Sequence, residues 1–160
     1  MQDLVTISIR GFNKLTEELS QLELEASEVR KRVSEAREQG DLRENGEYQY
    51  GRQQLGFIEG RMGELRAKIN RSDKVDCTKV ACDRAWFGTV VTLLDLETQE
   101  KLTYQLLGPN DADIDEGSIS ILAPVGKAIL GLSRGDKALV KVPRGELHYA
   151  VIDIARSQFE

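Results

Sequence analysis

Two carboxylates three residues apart, Asp41 and Glu44, are the side chains best suited to chemistry in this chain of 160 residues. Both offer hard oxygen ligands without the further ligands that would hold a metal in the free protein; Glu47, acidic and nearby, is expected to be solvated. Mg²⁺ keeps most of its waters and is typically held by one or two carboxylates together with a substrate or partner. The pair therefore reads as half a metal site, to be completed by something the protein meets. Taken alone, acids at a helix start also serve as caps and favourable charges for the helix dipole. Other candidates are poorer. Cys77 and Cys82 are the only cysteines, and one pair without a neighbouring histidine is neither a zinc site nor a disulfide framework. They are expected to be reduced thiols. His148 is the single histidine and falls in a strand pattern, so it is given no catalytic role.

What distinguishes Asp41 and Glu44 is the element that must carry them. Upstream, apolar or small residues recur at Phe12, Leu15, Leu19, Leu22, Ala26, Val29, Val33 and Ala36. Downstream they recur at Tyr48, Gly51, Leu55, Ile58, Met62, Leu65 and Ile69. Both series alternate steps of three and four, the 3.5-residue repeat of a coiled-coil seam. Paired outward from the middle, Ala36 with Tyr48, Val33 with Gly51 and so on to Leu15 with Ile69, every pair has Leu42 at its midpoint. Two helices with mirrored seams zip as an antiparallel hairpin. The segment Gly40-Asp41-Leu42-Arg43-Glu44-Asn45 is its turn, and a first helix of about 27 residues extends roughly 40 Å. Gly40 is expected to stop that helix in a backbone conformation open to glycine. Gly51, opposite Val33, is expected to loosen the seam and leave the distal arm mobile.

Composition bounds the rest. A net charge of −5 argues against nonspecific nucleic-acid binding as the main activity. With 40% hydrophobic and 31% charged residues the chain reads as soluble and globular. The longest apolar run is too short to cross a membrane, and the N-terminus lacks the pattern of a signal peptide, so a cytoplasmic location is expected. Residues 48–74 carry six basic and three acidic side chains, whereas residues 11–38 carry seven glutamates and five basic residues, an asymmetry that suits two adjacent helices.

The second half alternates strand-like runs with turn signals. Residues 86–94 and 101–107 pair plausibly across a polar loop, Gly108-Pro109-Asn110-Asp111 is a turn, and a short strand follows at 118–122. Pro124 opens a brief helix closed by Gly131, and residues 137–142 and 147–154 form a final hairpin. The expected architecture is α+β: residues 1–75 form an antiparallel two-helix coiled coil with an acidic tip at 40–45, and residues 76–160 form a small antiparallel sheet with one short helix.

The run Ser34-Glu35-Ala36-Arg37-Glu38-Gln39-Gly40-Asp41-Leu42-Arg43-Glu44-Asn45-Gly46-Glu47-Tyr48 resembles the tip motif of the bacterial Gre transcript cleavage factors, most of all their GreA branch. The likeness continues through residues 54–61, through Phe87-Gly88-Thr89-Val90-Val91 and through residues 119–131, so it covers essentially the whole chain. Departures occur at Gly46, where alanine is usual, at Tyr50-Gly51, and at Ala123, where serine is common before the proline.

The resemblance implies a transcription elongation factor whose coiled coil enters the secondary channel of a backtracked bacterial RNA polymerase. There the tip acids would help the polymerase's own active site cleave the extruded 3′ end of the nascent RNA. Carried onto this chain, Asp41 and Glu44 would hold an Mg²⁺ shared with the polymerase, and the free protein would bind no cofactor. Arg37 and Arg52 would be the basic patch that contacts the RNA. The second domain would be FKBP-like and bind polymerase through the loop containing Ser120, Leu122, Pro124 and Lys127. Such a factor is a monomer, is not itself an enzyme, and has no membrane partner. Three rivals are a channel regulator that inhibits without cleavage, a prolyl isomerase suggested by the FKBP-like fold, and a dimerising structural coiled coil. Retention of both acids disfavours the first, the scarcity of aromatics in the second half disfavours the second, and the third leaves the tip acids unexplained.

Overall fold

A computed structural model describes residues 3–40 and 45–160. The chain divides into two compact units, residues 13–71 and a second built from residues 1–12 and 72–160.

In the first unit, helix α1 (Ile9–Arg37) and helix α2 (Gly46–Asn70) carry the mirrored seams. Every expected seam position is buried or half-buried. Ala26, Val29, Ile58 and Met62 form the centre, with Leu19, Leu22, Val33 and Leu55 packed around it. The antiparallel register is also visible in the charges across the seam. Arg61 meets Glu18 at 3.0 Å, Arg66 meets Glu23 at 3.5 Å and Arg30 meets Glu59 at 2.9 Å. The charge asymmetry of the two helices is thus used for pairing, although such half-exposed pairs contribute only about 0–1 kcal/mol each.

Gly51 departs from expectation. It is buried, and a Cβ there would stand 2.7 Å from Cγ2 of Val33, so Val33 fills the space and the seam closes rather than loosens. At the end of α1, Gly40 has φ +142°, a region that side-chain-bearing residues rarely adopt.

The second unit holds two sheets. Strands β1 (Val5–Ser8) and β2 (Ser72–Val75) pair in parallel, Val5 opposite Ser72. The expected boundary at 75/76 placed both segments with the hairpin. The two strands pair with each other and lie in the compact unit that also holds residues 76–160. The larger sheet comprises β3 (Val90–Asp95), β4 (Lys101–Leu107), β5 (Ser118–Ser120), β6 (Lys137–Val142) and β7 (Gly145–Ala155), in the order β5-β4-β3-β7-β6. Its hairpins are antiparallel as expected, but β5 runs parallel to β4, so the sheet is mixed. Residues 108–117, which include a 3-10 turn at Ile114–Glu116, return the chain to run alongside β4 in the same direction. Side chains alternate as a pleated strand requires: Val91 and Leu93 are fully buried, while Val90 and Thr92 are half-exposed. Helix α3 (Pro124–Ile129) covers the inner face through Ile129.

Candidate functional site

Asp41 and Glu44 lie outside the described residues, so the site is defined by what flanks them. Ser8 starts α1 by accepting the Gly11 amide on its hydroxyl at 2.9 Å. At the far end, α1 finishes on Arg37, with Glu38 and Gln39 amides bonded back to Glu35 and Ala36 carbonyls at 3.2 and 3.1 Å. Asn45 opens α2. Its side-chain oxygen accepts the Tyr48 amide at 3.1 Å, and its Nδ2 donates to the Ala36 carbonyl at 2.5 Å. One side chain therefore caps α2 and ties it to the last turn of α1, on either side of residues 41–44. The expectations drawn for this segment rested on the acids; Asn45 was legible only as part of the motif, although its type and its place three residues before Tyr48 are those of an N-cap.

Arg37 and Arg52 are brought to one face. Both line a cleft of about 510 Å³ between the helices, together with Arg30, Ser34 and Tyr48 over Val33 and Leu55. Arg52 rests beside Tyr48, its guanidinium carbon 5.8 Å from the ring centroid and Nη1 3.4 Å from the phenol oxygen. On the opposite face a cleft of about 250 Å³ is lined by Arg32, Glu35 and Glu47, with Gln39, Tyr50 and Gln54. Among the described residues, one face of the hairpin thus has a lining with three arginines and no acid, and the other is of mixed charge. Among the described residues no three His, Cys, Asp or Glu side chains gather as a metal site.

In the second unit the four residues expected to bind a partner form one short stretch. Ser120 ends β5 and its hydroxyl accepts the Leu122 amide at 3.0 Å. Leu122 is 57% exposed, an apolar side chain held out by that turn. Pro124 is the first residue of α3, where its missing amide costs nothing. Lys127 is exposed, and its amide donates to the Ala123 carbonyl at 2.8 Å. Beneath them Gly126 lies against the Ser120 carbonyl, a close approach that motif reading did not single out.

The thiols are in unlike settings. Cys77 is fully buried, and burial, helped by the nearby Glu160 carboxylate, pushes its pKa up to about 12. Cys82 is partly exposed. No helix of the described residues is long and apolar enough to cross a membrane.

Comparison with known proteins places these features in a family. Residues 5–73 match the family described as "Transcription elongation factor, N-terminal", and residues 80–156 match "Transcription elongation factor, GreA/GreB, C-term". The chain is 44% identical over 160 residues to the transcription elongation factor GreA of Desulfotalea psychrophila, covering 99% of each. It is 39% identical over 150 residues to that of Maridesulfovibrio salexigens, covering 94% of each. Among solved structures, GreA factor homolog 1 (Gfh1) of Thermus thermophilus is similar at 25% identity and a TM-score of 0.45, covering 96% of this chain and 99% of that one. With both halves matched and relatives aligned along nearly their full length, this chain belongs to the GreA/GreB family of transcription elongation factors.

Proposed function

We propose that this chain enters the secondary channel of a backtracked bacterial RNA polymerase and, through Asp41 and Glu44, completes a metal site at which the polymerase hydrolyses its own nascent RNA. The chain is then a cofactor of another enzyme's catalysis. One observation carries this reading: in a family member, the acid-bearing segment 41–44 is bracketed by two helix ends that a single Asn45 side chain ties together. Segments held at both ends lose less entropy when they must adopt one geometry.

The donor set suits the ion. Two carboxylates are hard ligands of the type Mg²⁺ takes, and are too few to hold it without a partner. Bound there, the ion would supply a more acidic water and charge stabilisation for an in-line displacement. This chain's residues do the rest. Asp41 and Glu44 supply the carboxylates, Asn45 joins the helix ends that flank them, and Arg37 and Arg52 attract the RNA phosphates. The stretch from Ser120 to Lys127 grips the polymerase, with Leu122 as the apolar contact.

The test uses polymerase stalled on a template and allowed to backtrack, with end-labelled RNA, Mg²⁺ and the full chain. Cleavage that needs polymerase and disappears in Asp41→Asn with Glu44→Gln, while polymerase binding survives, is the expected result. A wild type that binds but never stimulates cleavage would overturn it in favour of an inhibitory channel regulator.

A further inference from the structure

We propose that Tyr48 is the positioning residue of the three-arginine face: it holds Arg52 in place and offers its ring to a base of the single-stranded RNA whose phosphates Arg37 and Arg52 meet. This rests on the reading above and specifies how the RNA is held.

The two faces of the hairpin differ in a way that selects a strand's path. Among the described residues the 510 Å³ cleft has Arg30, Arg37 and Arg52 in its lining and no carboxylate. Among the described residues the 250 Å³ cleft has Arg32 with Glu35 and Glu47, a net negative lining that repels phosphate. Within the basic cleft the arginines are not equivalent. Arg30 Nη2 is engaged by Glu59 at 2.9 Å, across the seam. Arg52 instead lies beside a neutral partner, Tyr48, at 5.8 Å from ring centroid and 3.4 Å from the phenol oxygen. An arginine set by an aromatic ring keeps its charge available for a phosphate, whereas one paired to a carboxylate does not.

Tyr48 is also rigid. It occupies a seam position opposite Ala36, is half-buried, and its amide is fixed by the Asn45 cap. A fixed aromatic ring beside cations is the combination on which single-stranded nucleic acid stacks its bases while its backbone is neutralised. An acidic peptide would use the arginines and leave the ring idle, so ring chemistry separates the two occupants.

The experiment uses the full chain with backtracked polymerase carrying 5-iodouridine near the RNA 3′ end. Wild type, Tyr48→Trp, Tyr48→Leu and Tyr50→Leu are compared. Tyr48→Leu keeps an apolar seam residue and removes the π face; Tyr48→Trp restores one. The expected result is photocrosslinking to position 48 in wild type and Tyr48→Trp. Tyr48→Leu should lose the crosslink and about tenfold in cleavage rate at saturating factor. Affinity for polymerase without extruded RNA should be unchanged in all, and Tyr50→Leu, which removes an exposed ring from the other cleft, should cleave like wild type. Tyr48→Leu cleaving like wild type would overturn the inference. So would its losing affinity for polymerase that has not backtracked, since the cleft would then be a protein-docking surface. A wild type that fails to stimulate cleavage removes the proposed function and this inference together, an outcome distinct from failure of Tyr48 alone.

Discussion

Gly51 and Val33 face each other across the hairpin so closely that a Cβ on Gly51 would stand 2.7 Å from Cγ2 of Val33. Alanine ordinarily stabilises a helix interior relative to glycine by about 0.5–1 kcal/mol. Here overpacking, at about 1–3 kcal/mol, outweighs that gain. Gly51→Ala is therefore expected to lower stability by about 1 kcal/mol. Adding Val33→Ala should relieve the clash. Gly56, Gly60 and Gly63 have nothing within 4 Å of the same position, so alanine at each should raise stability by about 0.5–1 kcal/mol. Thermal unfolding followed by circular dichroism reads all of these. A Gly51→Ala chain as stable as Gly60→Ala would show that the helices do not meet at Val33.

Asp111 holds the start of α1. One carboxylate oxygen accepts the Ser8 amide at 2.8 Å and the other accepts the Gly108 amide at 2.8 Å, while its Cβ lies against Gly11. Asp111→Ala strands two amides at a site where Ser8 is buried, and buried donors left unpaired cost about 1–3 kcal/mol each. A loss of about 2–4 kcal/mol is expected. Asp111→Asn retains one acceptor and should cost less. Equal denaturation midpoints for the three chains would contradict this role.

Much of this architecture was legible because it is periodic. The 3.5-residue seam named every buried position of α1 and α2 except Gly11, and strand-like runs between turn signals located β3, β4, β6 and β7. What was missed has no period. Strands β1 and β2 are four residues each, and their partners lie 67 positions apart, Val5 with Ser72. The parallel direction of β5 is set by the path of residues 108–117, which no alternation encodes. Gly51 was read as a missing side chain because a pattern counts what a residue lacks and does not register how closely the facing helix approaches. For the site, residue types and spacing pointed to Asp41 and Glu44, and the family resemblance added Arg37 and Arg52. Tyr48 was counted as a seam residue alone, although its i, i+4 spacing to Arg52 already put the two on one face.

The two thiols should react very differently. Cys77 is fully buried with its pKa pushed up to about 12, and a thiol held protonated is a poor nucleophile. Cys82 is partly exposed. One thiol per native chain should react readily with an alkylating reagent, and the second only after unfolding. Mass mapping should place the first label on Cys82. The same shift has a pH signature. Unfolded cysteine ionises near about 8.5, so Cys77 contributes its full stability below that pH. The contribution is lost as pH rises from there towards about 12, because only the unfolded chain gains by ionising. Cys77→Ala should unfold with a flatter alkaline limb than wild type. Prompt labelling of native Cys77 would refute its burial.

Gly126 is the place where polymerase binding and cleavage should separate. A Cβ there would overlap the Ser120 carbonyl oxygen and come within 3.0 Å of the Ser120 carbonyl carbon and 3.1 Å of the Ile121 Cα, all backbone atoms with little freedom to move. Gly126→Ala should therefore push α3 away from the end of β5 and shift Leu122, Pro124 and Lys127 relative to Ser120. Overpacking of about 1–3 kcal/mol at that contact corresponds to about tenfold in affinity if it is expressed in binding. The hairpin, a separate compact unit, carries the acids and is untouched by this change. The half-saturating concentration for stimulated cleavage should rise about tenfold while the rate at saturation stays at the wild-type value. Asp41→Asn should do the reverse, losing rate at saturation without loss of binding. If Gly126→Ala instead lowers the saturated rate with unchanged half-saturation, the stretch from Ser120 to Lys127 is not what grips the polymerase.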